Sequence, residues 1–188
     1  MHKHTEGFPG FFIPMLPVPG QMGPGTKFDR TVAPAVVTEL EILFDSCPTG
    51  PLFESFPALF GTREFSDALL AGQFTGFSVE KMTAKKADQY HLLSERKDLP
   101  EMVWLKVTGD AGKSDFGYSE ARHLVVSGRV LELAKRHGLT DARIYDATTP
   151  PTPEQIDDDL REEARQVAEK LKSRQKNKHP WFGNLFNR

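Results

Sequence analysis

Met102-Val-Trp-Leu-Lys-Val-Thr-Gly109, Ser114-Asp-Phe-Gly-Tyr118 and His123-Leu-Val-Val-Ser-Gly-Arg-Val-Leu-Glu-Leu-Ala-Lys-Arg-His-Gly-Leu-Thr-Asp-Ala-Arg-Ile144 follow one another along the chain and decide its fold class. Val103–Val107 reads as a strand, a glycine-containing loop follows, and Leu124–Val126 reads as a buried strand that runs into Ser127. Ser127 supplies a hydroxyl N-cap, Leu131 and Leu133 supply apolar helical positions, and Gly138 ends the helix before a closing strand at Ala142–Tyr145. This succession predicts an α+β fold.

Sliding the chain along itself by 65 positions sets Leu59-Phe-Gly-Thr62 against Leu124-Val-Val-Ser127. Thr62 and Ser127 each cap a helix, Phe65 and Val130 lie three residues on, and the helices stop near Gly72 and Gly138. Strands resume at Phe74–Val79 and Leu139–Ile144. Strand–helix–strand is common enough for two copies to resemble one another by chance, so the alternatives of an internal repeat and a coincidence both stand; either way the expectation is an antiparallel or mixed sheet carrying two short helices and one long C-terminal helix. Further strands are expected near Thr38–Phe44, Leu59–Phe60 and Phe77–Met82, the first because Leu40, Ile42 and Phe44 alternate onto one face.

Around this core, residues 31–149, the reading places a Pro/Gly/Phe-rich arm at 1–30 and a helix with an apolar tail at 150–188. Pro, Gly, Phe and Met dominate 7–25, which disfavours helix and long strands and suggests an arm or lid. The last helix is announced by Thr152-Pro-Glu-Gln155, a hydroxyl at the N-cap, proline at N1 and glutamine at N3 to close a capping box. Ile156, Leu160, Ala164, Val167, Ala168 and Leu171 recur at helical spacing. Asp157, Asp158 and Asp159 sit at the positive end of the helix dipole, and Lys170, Lys172, Arg174, Lys176 and Lys178 at its negative end. Trp181 and Phe182 then make the tail strongly apolar.

With 188 residues, 38% hydrophobic and 27% charged, one ordinary core is the simplest reading. No stretch approaches the roughly 20 uninterrupted apolar residues of a membrane span. A net charge of −2 gives no footprint for nucleic acid. Cys47 is the single cysteine, which rules out an internal disulfide and a thiolate zinc cage and suits a cytoplasmic protein. Pro9, Pro14, Pro17 and Pro19 interrupt the apolar N-terminal stretch, so a secretory signal is not expected.

Catalytic motifs break on inspection. Asp115-Phe-Gly117 matches the magnesium-binding triplet of kinases without the rest of a kinase sequence, and Gly112-Lys-Ser114 copies the end of a P-loop whose leading glycine would have to be Val107. His91, His123 and His137 lack the spacing that presents two ligands to one metal. No catalytic, cofactor-binding or metal-binding residue is therefore assigned. An enzyme in which Glu54, Glu64, Asp67, Asp110, Asp115 and Glu120, or a carboxylate and His91 or His123, converge only in three dimensions stands as an alternative.

Asp115-Phe-Gly117, Leu124-Val-Val-Ser127, Arg129, Leu131, Leu133 and Arg136-His-Gly-Leu139, taken with Phe53-Glu-Ser-Phe-Pro57 and Phe74-Thr-Gly-Phe77, resemble bacterial polymorphic-toxin immunity-type proteins. The resemblance spans about Thr38 to Tyr145 and is to the double-CXXCG group, whose cysteine pairs this chain lacks, so zinc is not carried over. It implies a non-enzymatic cytoplasmic protein that binds and blocks a cognate toxin. Acidic residues suit a basic toxin, which makes Asp110, Asp115 and Glu120 in or after the glycine-rich loop, and Asp157, Asp158 and Asp159 on the last helix, the candidate partner-binding residues. Trp181 and Phe182 join them as apolar candidates. The rival reading is an adaptor or structural subunit that assembles through its two apolar tails; the oligomeric state is left open.

Overall fold

A computed structural model describes residues 7–32, 35–93, 98–140 and 142–178. The chain divides into two units, residues 1–150 and 151–188. The first unit carries strands β1 (Phe11–Met15), β2 (Gly20–Met22), β3 (Lys27–Asp29), β4 (Val36–Glu39), β5 (Glu41–Phe44), β6 (Leu52–Ser55), β7 (Ala58–Thr62), β8 (Phe77–Glu80), β9 (Thr83–Lys86), β10 (Met102–Val107), β11 (Phe116–Tyr118), β12 (Leu124–Ser127) and β13 (Arg143–Asp146). Its helices are α1 (Arg63–Ala71), the single turn α2 (Tyr90–Leu93) and α3 (Gly128–Arg136); the second unit is α4 (Pro153–Lys178). The fold is α+β. Among the described residues no helix is long and apolar enough to cross a membrane.

Two four-stranded antiparallel sheets, β6-β7-β10-β8 and β11-β12-β1-β13, carry the repeat. In each, two hairpin strands lead into a nine-residue helix and then an edge strand, and a strand from elsewhere fills the slot between the second and the last. The correspondence holds residue by residue. Thr62 and Ser127 accept from Phe65 N and Val130 N as N-caps, and lie opposite Met102 and Phe11 on the slotted strands. Helix exits match as well, with Phe74 N donating to Leu69 O at 3.1 Å and Leu139 N to Ala134 O at 2.9 Å. The left-handed residue at each exit is Gln73 (φ 52°) in the first copy and Gly138 (φ 96°) in the second.

The copies face one another reciprocally. Arg129 of α3 donates to Gly72 O at the end of α1 at 2.9 Å, while Glu64 of α1 meets His137 at the end of α3 at 3.6 Å, and each member of one contact is the counterpart of a member of the other. Contact of i with j and of j with i is the mark of a two-fold relation, here within one chain. One apolar cluster draws on both copies, pairing Leu59, Phe65, Leu69 and Leu105 of the first with Leu124, Val126, Val130 and Ala134 of the second. Neither sheet buries its inner face without the other.

The arm is the main correction to the sequence reading. Residues 11–15 form the slotted strand of the second sheet, pairing with β12 and with β13 from Phe12↔Asp146 to Met15↔Arg143. Ile13 is buried on one face while Phe12 and Leu16 pack into the shared core on the other, so short-range alternation outweighed the proline content. Pro14 is accommodated inside this strand. Further along, Gly23 and Gly25 wrap the buried Glu41 of β5, where a Cβ would come within 2.4 and 2.8 Å of its carboxylate, and Gly25 N donates to Glu41 Oε1 at 3.1 Å. The Lys85 ammonium and that amide hold the Glu41 carboxyl below the usual range.

The copies differ outside the shared core. The outer face of the first sheet lies under a roof built from β2-β5-β9, with β5 and β9 parallel, together with residues of β4 and α2. Val37, Leu40, Ile42, Phe44 and Tyr90 bury Phe53, Phe60, Met102 and Trp104 there. The outer face of the second sheet has a smaller cluster, Ile13, Val125 and Ala147 with Phe8, Phe11, Ala111 and Tyr145 around them.

In the second unit the expected capping box is present. Thr152 N donates to Gln155 Oε1 at 2.8 Å and Gln155 N to Thr152 Oγ1 at 3.2 Å. On α4 the side chains of Ala164, Val167 and Leu171, from the expected apolar stripe, lie outside the described residues, as do Trp181 and Phe182.

Candidate functional site

The loop between β10 and β11 is drawn tight by its backbone. Thr108 N and Gly109 N both donate to Gly76 O, at 2.9 and 3.0 Å, and Lys113 N and Ser114 N both donate to Asp110 O, at 3.2 and 3.0 Å. Asp110 also bridges to Tyr118. Glycine is required at 117, where a Cβ would lie 2.3 Å from Ala111 N, and at 112, which has φ 76° and would drive a Cβ to 2.3 Å from the Phe8 ring. The arm is fastened from its own side by Phe8 N donating to Ala147 O at 3.1 Å.

Between these segments lies an open cleft of about 630 Å³, walled by Gly7–Pro9, by Asp110–Lys113 and by Tyr118–Glu120. Asp110 and Glu120, two of the acids singled out in the sequence, stand exposed at this cleft. Asp110 pairs with Lys113 at 3.5 Å across highly exposed side chains. Two carboxylates, one ammonium, the Phe8 ring and a preorganised backbone suit recognition of a polar, cation-bearing surface.

Asp115 is placed differently from the expectation. It is only 8% exposed, and its carboxylate accepts from Ser127 Oγ at 2.6 Å, from Thr75 N at 2.9 Å and from Thr75 Oγ1 at 3.1 Å. Arg129 stands 3.9 Å away. Burial alone would raise its pKa, but the Ser127 and Thr75 hydrogen bonds, with the Arg129 charge, hold it below the ordinary aspartate value. Thr75 belongs to the first copy and Ser127 to the second, so Asp115 joins the copies instead of facing a partner. Asp157 and Asp158 are exposed on α4, Asp158 pairing with Arg161 at 3.3 Å, and Asp159 is half-buried. His137 caps α3, and among the described residues no group of three or more His, Cys, Asp or Glu could hold a metal ion.

Comparison with protein-family models, with curated proteins and with solved structures finds no match to this chain. The cleft is accordingly read from its own geometry. Phe8 was not singled out in the sequence, because a ring in a proline-rich arm carries no local signal, and Lys113 was weighed only as part of the broken P-loop pattern. Glu54 was weighed as one of several scattered acids and as part of the Phe53–Pro57 stretch, without a role of its own. It stands on β6 where Tyr118 stands on β11, opposite Leu59 and Leu124 respectively, but the 65-residue offset applied to Tyr118 lands on Phe53, so only the strand register reveals the match.

Proposed function

We propose that this is a non-enzymatic immunity-type protein that binds and neutralises a cognate bacterial toxin, with the cleft beside Asp110–Lys113 as its contact face. The observation that carries the reading is the difference between the copies: one scaffold is used twice, the first outer face is roofed by its own chain, and beside the second lies a cleft bearing Asp110 and Glu120. Exposed carboxylates on a stiff loop complement a basic partner by steering and by charge pairing, and occluding a toxin's active site requires no chemistry from the inhibitor. Lys113 tempers this rim, so a basic group of the partner would exchange with it at Asp110.

The test is bacterial growth with the neighbouring reading frame expressed alone, with this protein, and with an unrelated soluble control. Relief of toxicity by this chain only is the expected result. The double variant Asp110→Lys, Glu120→Lys should then lose at least tenfold in protection while Asp157→Lys, Asp158→Lys keeps it. Toxicity left untouched by the native chain would overturn the reading. The exposed Phe28 (38%), Val32 (48%) and Val36 (44%) around the β3–β4 hairpin favour a second reading, an adaptor subunit. Self-association in light scattering, abolished by polar substitutions at these three residues, would support it.

A further inference from the structure

The reciprocal relation between the copies brings one pair of counterparts face to face. Glu54 on β6 and Tyr118 on β11 occupy matching places on the two hairpins, and both side chains turn toward the inner layer: Leu52 and Leu59 of the shared core flank Glu54, and Leu124 opposes Tyr118. Matching residues meet each other only near a two-fold axis, so this contact marks the seam between the copies. Tyr118 Oη is shut off from solvent and finds no hydrogen-bond partner of good geometry, although the Glu54 carboxyl lies beside it. Phe56, 52% exposed, sets its ring edge-on to Tyr118 with centroids 6.5 Å apart, and Glu54 and Tyr118 are both half-buried.

Glu54 also has uncharged neighbours. Leu59 opposes it on β7, and Pro17 O accepts its backbone N–H at 3.4 Å. Among the described residues no lysine, arginine or histidine forms an ion pair with Glu54, and Tyr118 is the titratable group that faces it. A carboxyl in such a place is comfortable when neutral and requires water when ionised.

We propose that the seam where Glu54 faces Tyr118 is a proton-operated latch between the two copies, closed while Glu54 is protonated and loosened when the ionised carboxylate, which the Tyr118 hydroxyl alone does not satisfy, takes up water. Burial pushes the Glu54 carboxyl up to about 7, against the smaller opposing influence of the Tyr118 hydroxyl, so the latch works near neutrality. The sign follows from linkage. The folded value lies above the unfolded 4.5, so the contribution is fully present below 4.5 and is lost as pH rises through about 7. Ionised Glu54 draws water into the seam or swings out past Phe56, freeing the ends of β6 and β11.

The experiment compares urea unfolding of the full chain and of Glu54→Gln between pH 5.5 and 8.5. The native chain is expected to lose about 30-fold more in its folding equilibrium constant than the variant over that interval, from the two pKa values and linkage. Identical pH profiles would overturn the proposal. Carboxyl-carbon NMR of the native chain does not depend on the variant folding: one glutamate titrating near neutrality is expected, with its midpoint moving further up in Tyr118→Phe, and glutamates confined to the ordinary range would refute it. Hydrogen exchange, corrected for intrinsic rates, should lose protection over 52–56 and 116–119 as Glu54 ionises. Titration without that loss would show a half-buried acid that latches nothing.

Discussion

The first copy, β6-β7-α1-β8 with β10, and the second, β11-β12-α3-β13 with β1, share register, caps and helix length, and differ in what lies on their outer faces. Inner-face residues must satisfy two sheets at once, so their positions correspond even where their identities do not, as in Phe65 against Val130 or Leu69 against Ala134. Outer-face residues answer only to whatever covers them. In the first copy that is Ile42, Phe44 and Tyr90; beside the second are Phe8 and the 110–113 loop, with a cleft between. Duplication of this kind separates the residues that build the scaffold from those left free for recognition.

The sharpest way to break the equivalence is to empty the shared core from either side. Phe65→Ala should cost about 3–5 kcal/mol and Val130→Ala about 2 kcal/mol, by the volumes removed. Because the core is common, each should lower a single transition in urea, monitored by circular dichroism and by Trp104 fluorescence. Two separated transitions would show that the copies are independent.

A smaller effect distinguishes the caps. Thr62→Ala removes one N-cap and should cost about 1 kcal/mol. Ser127→Ala removes the matching cap and also the 2.6 Å hydrogen bond to Asp115, and should cost about 2–3 kcal/mol near pH 7. Asp115 has a depressed folded pKa, so its stabilising contribution is present above the ordinary aspartate value and is lost as pH falls through the depressed one. The excess of Ser127→Ala over Thr62→Ala should therefore shrink in acid. Equal costs at both pH values would remove Asp115 from its role as a clamp.

The smallest effect lies at the helix exits. Gln73 holds a left-handed conformation that Gly138 holds in the second copy, so Gln73→Gly should stabilise by about 0.5–1 kcal/mol and Gly138→Ala should destabilise by about 1 kcal/mol. A Cβ at Gly138 meets nothing within 4 Å, which leaves backbone strain as the cause. Thermal melts of the two variants, moving in opposite directions, are the measurement.

Signals that act over a few residues were legible. The Ser127 and Thr62 caps, the Thr152–Gln155 capping box and the strands around Leu59, Val103 and Leu124 all follow from neighbours in sequence, while the 65-residue offset left the repeat open. Asp110 and Glu120 were picked out as exposed acids, and they share one cleft. The role of Asp115 was not readable, because the same Asp-Phe-Gly text serves an exposed loop or a buried clamp according to whether Thr75, 40 positions away, reaches it.

Sequence by itself determined the α+β class and the caps that open α1, α3 and α4, since propensity and capping are local and survive without knowledge of partners, whereas the repeat was settled by the matching registers of the two sheets. Tertiary structure alone decided that Phe11–Met15 fills a sheet from far along the chain, that Asp115 turns inward, and that Glu54 meets Tyr118. The physical reason is common to all three. A slot between two strands, a buried carboxylate and an acid at a seam have energies that depend on groups brought together on folding and on desolvation that an unfolded segment never experiences.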